Sequence, residues 1–484
     1  MEEKKKLQGT ESDTQDAKLS GLRGQMKRPV KVTVIGAGSN FTPRLVTDIL
    51  SIPENAGGTI ALVDIDEDRL NRMKGLIGKV ESKLRQPDTE WKVVASTDRR
   101  ELLPGSDYVL VCIEVNGLEC VSHDNDIPAK YGIDQCIGDT LGPGGVMKGL
   151  RTIPVFLDIV EDIEELCPKA WVLNYTNPMA MMMLAAFRRS KVTAVGLCHS
   201  VQGTSDLMAN RAGIPIEDIE WDCAGINHLA WFTKFEHEGK DLYPLLKEKA
   251  VKDIAGEPVD EKDRFDLVRK DMMLQFGAFI TESSPHLSEY VPYYRKRKDI
   301  LETYCEDDFP GDGSRFGTRY YADMWPDSRA KADLERDQMI SGEKEIDWKR
   351  SWEYASWIIE AREKDTPFRI HGNIYNRDAT GGQVITNLPA DSCVEVSCMV
   401  DRSGIHPTRY GELPPQMAAI CQTNINVIDL GARAASERNK EYAVQAMMVD
   451  PLTAANCSLN EIREMAHELF AAEADYMPDG FLDD

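Results

Sequence analysis

No stretch of this 484-residue chain approaches the roughly 18 to 20 uninterrupted apolar residues that a membrane-crossing helix needs. The longest apolar runs, such as 108–115, have the length of a strand. Basic charge is in deficit as well: 57 Lys and Arg stand against 81 Asp and Glu, a formal net charge of -24. No local basic patch offsets it, and nucleic acid is excluded as a partner. The N-terminus lacks the apolar core of an export signal and opens instead on Glu2, Glu3 and three lysines, an expectation of a cytoplasmic protein. A paired-cysteine framework is missing too. Eleven cysteines, an odd number scattered through a long chain, read as reduced thiols, any one of which could ligate a metal.

What is present is a chain long enough for about three domain-sized units or two larger lobes. Residues 1–28 are polar, charged and without apolar periodicity, so they read as a disordered tail, and the fold is expected to start near Pro29. From there strands at 31–35, 59–64 and 108–115 alternate with helices at 44–50 and 69–84. A helix at 150–165 and strands at 171–174 and 193–197 continue the series. The pattern is that of an α/β fold, a Rossmann-like doubly wound parallel sheet spanning about residues 29–200. Residues 201–484, with strand-like runs at 222–236 and 393–400, read as an α+β lobe without βαβ regularity. The charged stretch 250–263 reads as a surface excursion.

The first strand runs directly into Gly36-x-Gly38-Ser39, and a helical pattern follows Pro43. Backbone that must approach a pyrophosphate closely favours glycine, and the following helix offers unpaired N–H groups and a positive dipole end. The third glycine of the usual fingerprint is replaced by Phe41. Asp64, 28 residues beyond Gly36 at the end of the second strand, suits an adenosine ribose and would repel a 2'-phosphate, so NAD is expected over NADP. The competing reading makes Asp64 a strand-end cap.

Cys198-His199-Ser200 follows the strand at 193–197, at a carboxyl end where open α/β sheets bind ligands. Thirty residues later comes Gly225-Ile226-Asn227-His228. A thiolate with an imidazole suits a borderline divalent metal, and two protein ligands leave positions for water and substrate hydroxyls. Taken singly, Cys198 could equally be one more buried cysteine and His228 a satisfied core histidine. The loop 138–145, GDTLGPGG, carries the carboxylate of Asp139, and NYTNP at 174–178 places Asn177 just after a strand.

Together these motifs closely resemble glycoside hydrolase family 4, the NAD- and metal-dependent glycosidases. VIGAGS, GDTLGPGG, NYTNPMA, CHSVQGT and GINHLAWF stand here in that family's order, followed by TESS at 281–284, NLP at 387–389 and QTNIN at 422–426. CHSV looks like the α-galactosidase (melibiase) branch. Phospho-glucosidase branches carry Asp or Asn after the cysteine, so His199 argues against a phosphorylated substrate. The resemblance implies a redox–elimination chemistry rather than the two-carboxylate route from which this family departs. In it NAD takes hydride from C3, the C2 proton becomes acidic, and the C1 substituent leaves. Water then adds and the hydride returns. It implies a metal, Mn(II) first, on Cys198 and His228, NAD against Gly36, Gly38, Ser39 and Asp64, and substrate contacts from Asn177 and Asp139. The expected substrate is a small α-galactoside, and the expected assembly a homo-oligomer, dimer or tetramer.

One departure leaves the proton-transfer roles open. The phospho-glucosidase branches use a tyrosine base and an aspartate acid next to the metal cysteine, and here that second position is His199. His199 is the candidate acid, and Tyr290 or His286 the candidate base. An α-galacturonidase or α-glucosidase of the same family, an NAD-dependent 2-hydroxy-acid dehydrogenase and an NAD-binding redox sensor are the competing readings. The last two give no role to Cys198 with His228.

Overall fold

The computed structural model of the protein describes residues 21–257, 265–305 and 316–481. Its spine is one sheet. The parallel half contains β1 (Val30–Ile35), β2 (Gly58–Val63), β3 (Trp91–Ser96), β4 (Tyr108–Val111), β5 (Trp171–Asn174) and β6 (Thr193–Gly196). Its order, β3-β2-β1-β4-β5-β6, reverses direction at β1 and β4 and leaves a crevice at their carboxyl ends. β4 and β5 are buried throughout, as strands covered by helices on both faces must be.

The second half of the chain extends this sheet. β7 (Ile219–Ile226), β8 (Leu229–His237), β9 (Lys240–Asp241), β10 (Phe279–Ile280), β11 (Phe368–Tyr375), β12 (Cys393–Asp401) and β13 (Gly404–Pro407) are antiparallel to their neighbours. β11 docks antiparallel on β6 through Asn373 opposite Gly196, and the order runs on through β12, β7 and β8 to β10. The α+β lobe is thus fused to the edge of the dinucleotide-type sheet, and the two halves share one apolar core.

Several expectations are corrected. Of the segment read as a loose tail, residues 1–20 lie outside the described residues, but 21–28 are docked. The Leu22 N–H donates to Glu360 at 2.8 Å, Met26 is buried, and Arg28 pairs with Asp107 and Glu363, each at 2.7 Å. Few apolar residues betray this docking, because ion pairs and one methionine hold it. The run 222–236 is a hairpin, β7 and β8, turning at Asn227 and His228, and His228 takes a left-handed φ of 62°. The helix expected at 150–165 begins eight residues earlier, spanning Gly142–Leu166, so its amino end lies inside the glycine-rich loop. Helix Tyr243–Ile254 takes up the start of the charged 250–263 excursion, and 258–263 lies outside the described residues.

Candidate active site

Gly36 leaves β1 with φ +80°, and a Cβ on it would stand 2.4 Å from the carbonyl oxygen of Cys112. Only glycine lets the β1 and β4 turns close on each other, which opens the crevice above them. The Gly38 N–H donates to Asp64 Oδ2 at 2.7 Å, and Arg69 donates to the Gly38 carbonyl at 2.5 Å. Helix Thr42–Leu50 starts from Phe41, which has no side-chain oxygen to cap the first amides. A glycine cradle, an uncapped helix start and Asp64 at the end of β2 fit a dinucleotide with a free ribose hydroxyl.

The chain leaves β6 through Leu197 into Cys198, while the β7–β8 turn carries His228 and the stretch after β10 carries Glu282. Their Sγ, imidazole nitrogen and carboxylate oxygen lie within 4.8 Å of one another. Glu282, like His228, holds a left-handed backbone, with φ 75°. Burial holds His228 at about 4, a neutral imidazole at physiological pH. Burial opposes charge on Glu282, yet the imidazoles of His228 and His286 draw its pKa well below the carboxylate range. Burial, and then the nearby Glu395 and Glu282, push the Cys198 thiol up, so a cation is needed to make it a thiolate. Thiol, neutral imidazole and carboxylate form a donor set suited to a borderline divalent ion.

Behind this group lies a buried chain of polar atoms. The Tyr290 hydroxyl is 3.1 Å from His228 Nδ1 and 3.0 Å from His286 Nε2. His286 Nε2 also faces Asp139 at 3.5 Å, and its Nδ1 faces Glu282 at 3.7 Å. Burial disfavours charge on His286, but Asp139 and Glu282 outweigh it and raise its pKa to about 10. Asp139 accepts from Thr140 at 2.7 Å and from Asn177 at 3.4 Å, so the two expected sugar contacts meet. Glu289 accepts from the N–H groups of Cys136, Ile137 and Gly138 and pins the loop that presents Asp139. His199 lies apart at the mouth. Its ring is exposed, stacks near Phe41 at 6.2 Å, and has Nδ1 3.5 Å from Glu353.

Two sequence comparisons bear directly on this arrangement. Residues 31–214 match the model of the family 4 glycosyl hydrolases, and residues 223–453 match that family's C-terminal domain. The chain belongs to glycosyl hydrolase family 4. Among family relatives, an α-galactosidase of Bacillus subtilis (strain 168) is 39% identical over 452 residues, covering 93% of this chain and 99% of that protein. An α-galactosidase of Rhizobium meliloti (strain 1021) is 38% identical over 454 residues, covering 93% and 89%. A 6-phospho-α-glucosidase from gut microorganisms, solved with NAD and Mn2+, has the same fold at 21% identity. Its TM-score is 0.74, with 93% of this chain and 99% of that one covered.

The motifs of this family 4 chain point to Cys198 and His228 as two protein ligands, whereas the folded chain gathers three candidates. Glu282 was in view within TESS, but nothing in its spacing tied it to a residue 54 positions earlier. Tyr290 and His286, expected as alternatives, form one hydrogen-bonded unit. Glu289, Glu353 and Glu114 do not stand out by type among 81 acids, nor does Lys148 among 57 basic residues. No helix of the described residues is long and apolar enough to cross a membrane.

Proposed function

We propose that this family 4 glycosidase hydrolyses unphosphorylated α-galactosides such as melibiose or raffinose. In this reading NAD lies over the β1–β4 crevice and a divalent cation, Mn(II) first, is held by Cys198, His228 and Glu282. The observation that carries the reading is the convergence of those three donors on the Tyr290–His286 pair. The names of the two α-galactosidases and the CHSV motif supply the sugar. When bound, NAD provides a reversible hydride acceptor at C3 and the cation a Lewis acid for the neighbouring oxygens.

The chain's own groups do the rest. Gly36, Gly38, Ser39 and Asp64 seat the dinucleotide, while Asn177 and Asp139 hold sugar hydroxyls. Tyr290 takes the C2 proton on its phenolic oxygen. Were His228 to hold the cation through Nε2, its Nδ1 would carry the hydrogen and donate to that oxygen, with protonated His286 donating from the other side. Two N–H donors on one phenol favour its ionised form against the burial that pushes its pKa up. His199, with Nδ1 against Glu353, protonates the leaving oxygen from the mouth. All eleven cysteines are free thiols, which accords with a reducing, cytoplasmic compartment and with a thiolate ligand that oxidation would destroy.

A panel of nitrophenyl glycosides with NAD, Mn(II) and a reducing agent tests the reading. The α-galactoside should be cleaved, and NADH should not accumulate in step with product. Activity confined to 6-phosphorylated sugars or α-galacturonides overturns the substrate, and stoichiometric NADH overturns the reaction in favour of a dehydrogenase.

A further inference from the structure

Asp139 also lines a small pocket that it shares with Glu114, Gly117, Lys148, Tyr321 and Trp325. Glu114 sits in the turn after β4, and Lys148 on the second turn of helix Gly142–Leu166. Lys148 Nζ pairs with Glu114 at 2.8 Å and faces Asp139 at 3.7 Å, with its side chain 7% exposed. It also stands 6.0 Å from the centre of the Trp325 ring, which stacks on Tyr321 at 4.8 Å. Gly117 has no side chain because one could not fit: its Cβ would lie 2.3 Å from Trp325 and 2.6 Å from Glu114. The indole, the carboxylate and the ammonium are therefore packed into one fixed wall.

This geometry bears on the sugar itself. In a pyranose the C2–C3 bond lies across the ring from C5, so a sugar held by O2 and O3 at the metal group, with its far edge turned toward Asp139, would bring C6 to this pocket. An aromatic wall suits the C–H face of a hexose. A buried lysine at that pole would, alone, select an acidic C6, but here two carboxylates already balance it. A further carboxylate or phosphate would meet Glu114 as a like charge, and such juxtapositions discriminate against a ligand. A hydroxymethyl group can instead donate a hydrogen bond to the carboxylate.

We propose that Glu114, by holding Lys148 in a balanced pair in this pocket, confines the enzyme to glycosides with an uncharged C6. The inference rests on the α-galactoside reading above. It is tested by kcat/KM on nitrophenyl α-galactoside and α-galacturonide for the NAD- and Mn(II)-loaded wild type, Glu114→Gln and Lys148→Gln. The galacturonide-to-galactoside ratio should rise at least tenfold in Glu114→Gln and move the opposite way in Lys148→Gln. A purely structural role would lower both substrates together and leave the ratio fixed. If Glu114→Gln is too slow to assay or fails to fold, calorimetric affinities of wild type and Lys148→Gln for galactose and galacturonate read the same discrimination. A ratio within twofold of wild type in the variants, with normal α-galactoside cleavage by wild type, overturns this inference alone. Failure of wild type to cleave α-galactoside overturns the parent reading and this one with it.

Discussion

Glu282→Gln is the substitution that most directly examines the third ligand, because it keeps the shape and removes the charge. Glu282 Oε2 lies 3.4 Å from His228 Nε2, and its Oε1 lies 3.7 Å from His286 Nδ1. In the proposed site the change would therefore strip a donor from the cation and a counter-charge from His286. Outer partners of metal ligands typically cost ~10- to 100-fold in affinity when removed. A direct ligand in a buried site should cost at least the upper end, about 2.7 kcal/mol or 100-fold in the Mn(II) dissociation constant. The pKa of His286, held near 10 in part by Glu282, should fall toward the ordinary histidine range. Calorimetric Mn(II) titration of the NAD-loaded protein reads the affinity, with NAD binding as internal control, expected within a few fold of wild type. An Mn(II) affinity within threefold of wild type, with activity retained, would refute the assignment of Glu282.

Further outcomes are expected elsewhere. Cys198→Ser and His228→Ala should each abolish turnover with NAD affinity changed only a few fold, and EDTA should do the same to wild type; undiminished turnover in EDTA ends the metal assignment. Gly36→Ala forces a methyl within 2.4 Å of the Cys112 carbonyl at a positive φ, a strain of about 1–3 kcal/mol. It should weaken NAD binding about tenfold or more, and an unchanged NAD dissociation constant would refute the cradle. Burial holds Glu395 at about 8, above its unfolded value near 4.5. Between those values the folded state binds the extra proton, so this group's contribution to stability falls as pH rises, by up to about 5 kcal/mol. Glu395→Gln should flatten the dependence of melting temperature between pH 5 and pH 8, and an unaltered slope would count against it.

Much of the dinucleotide half was legible in the chain because its strands are continuous apolar runs and its turns carry glycine where a Cβ cannot fit. The strand 171–174 coincides with β5, and 59–64 misses β2 by one residue at each end. β3 and β11 were not anticipated. WKVVAS follows a polar turn and is only half-buried, and FRIHGNIY hides a central strand behind His371, Gly372 and Asn373. Those polar residues are tolerated because Asn373 is bonded to the Gly196 carbonyl and to Glu395. The site divides in the same way. Cys198 and His228 stand in motifs whose residue types announce metal chemistry. Glu282 and the Glu114–Lys148 pair acquire meaning through contacts with residues distant in sequence, such as Glu282 with His228 and Lys148 with Glu114 and Trp325, which composition and periodicity do not encode.

The central claim is that this chain breaks a glycosidic bond by reversible oxidation and loss of the C2 proton. Its most direct measurement follows hydrolysis of nitrophenyl α-galactoside deuterated at C2, in ordinary water with NAD, Mn(II) and a reducing agent. Galactose should be released with hydrogen at C2, with NAD required yet recovered unchanged. Full retention of deuterium at C2 in the released sugar would contradict the claim.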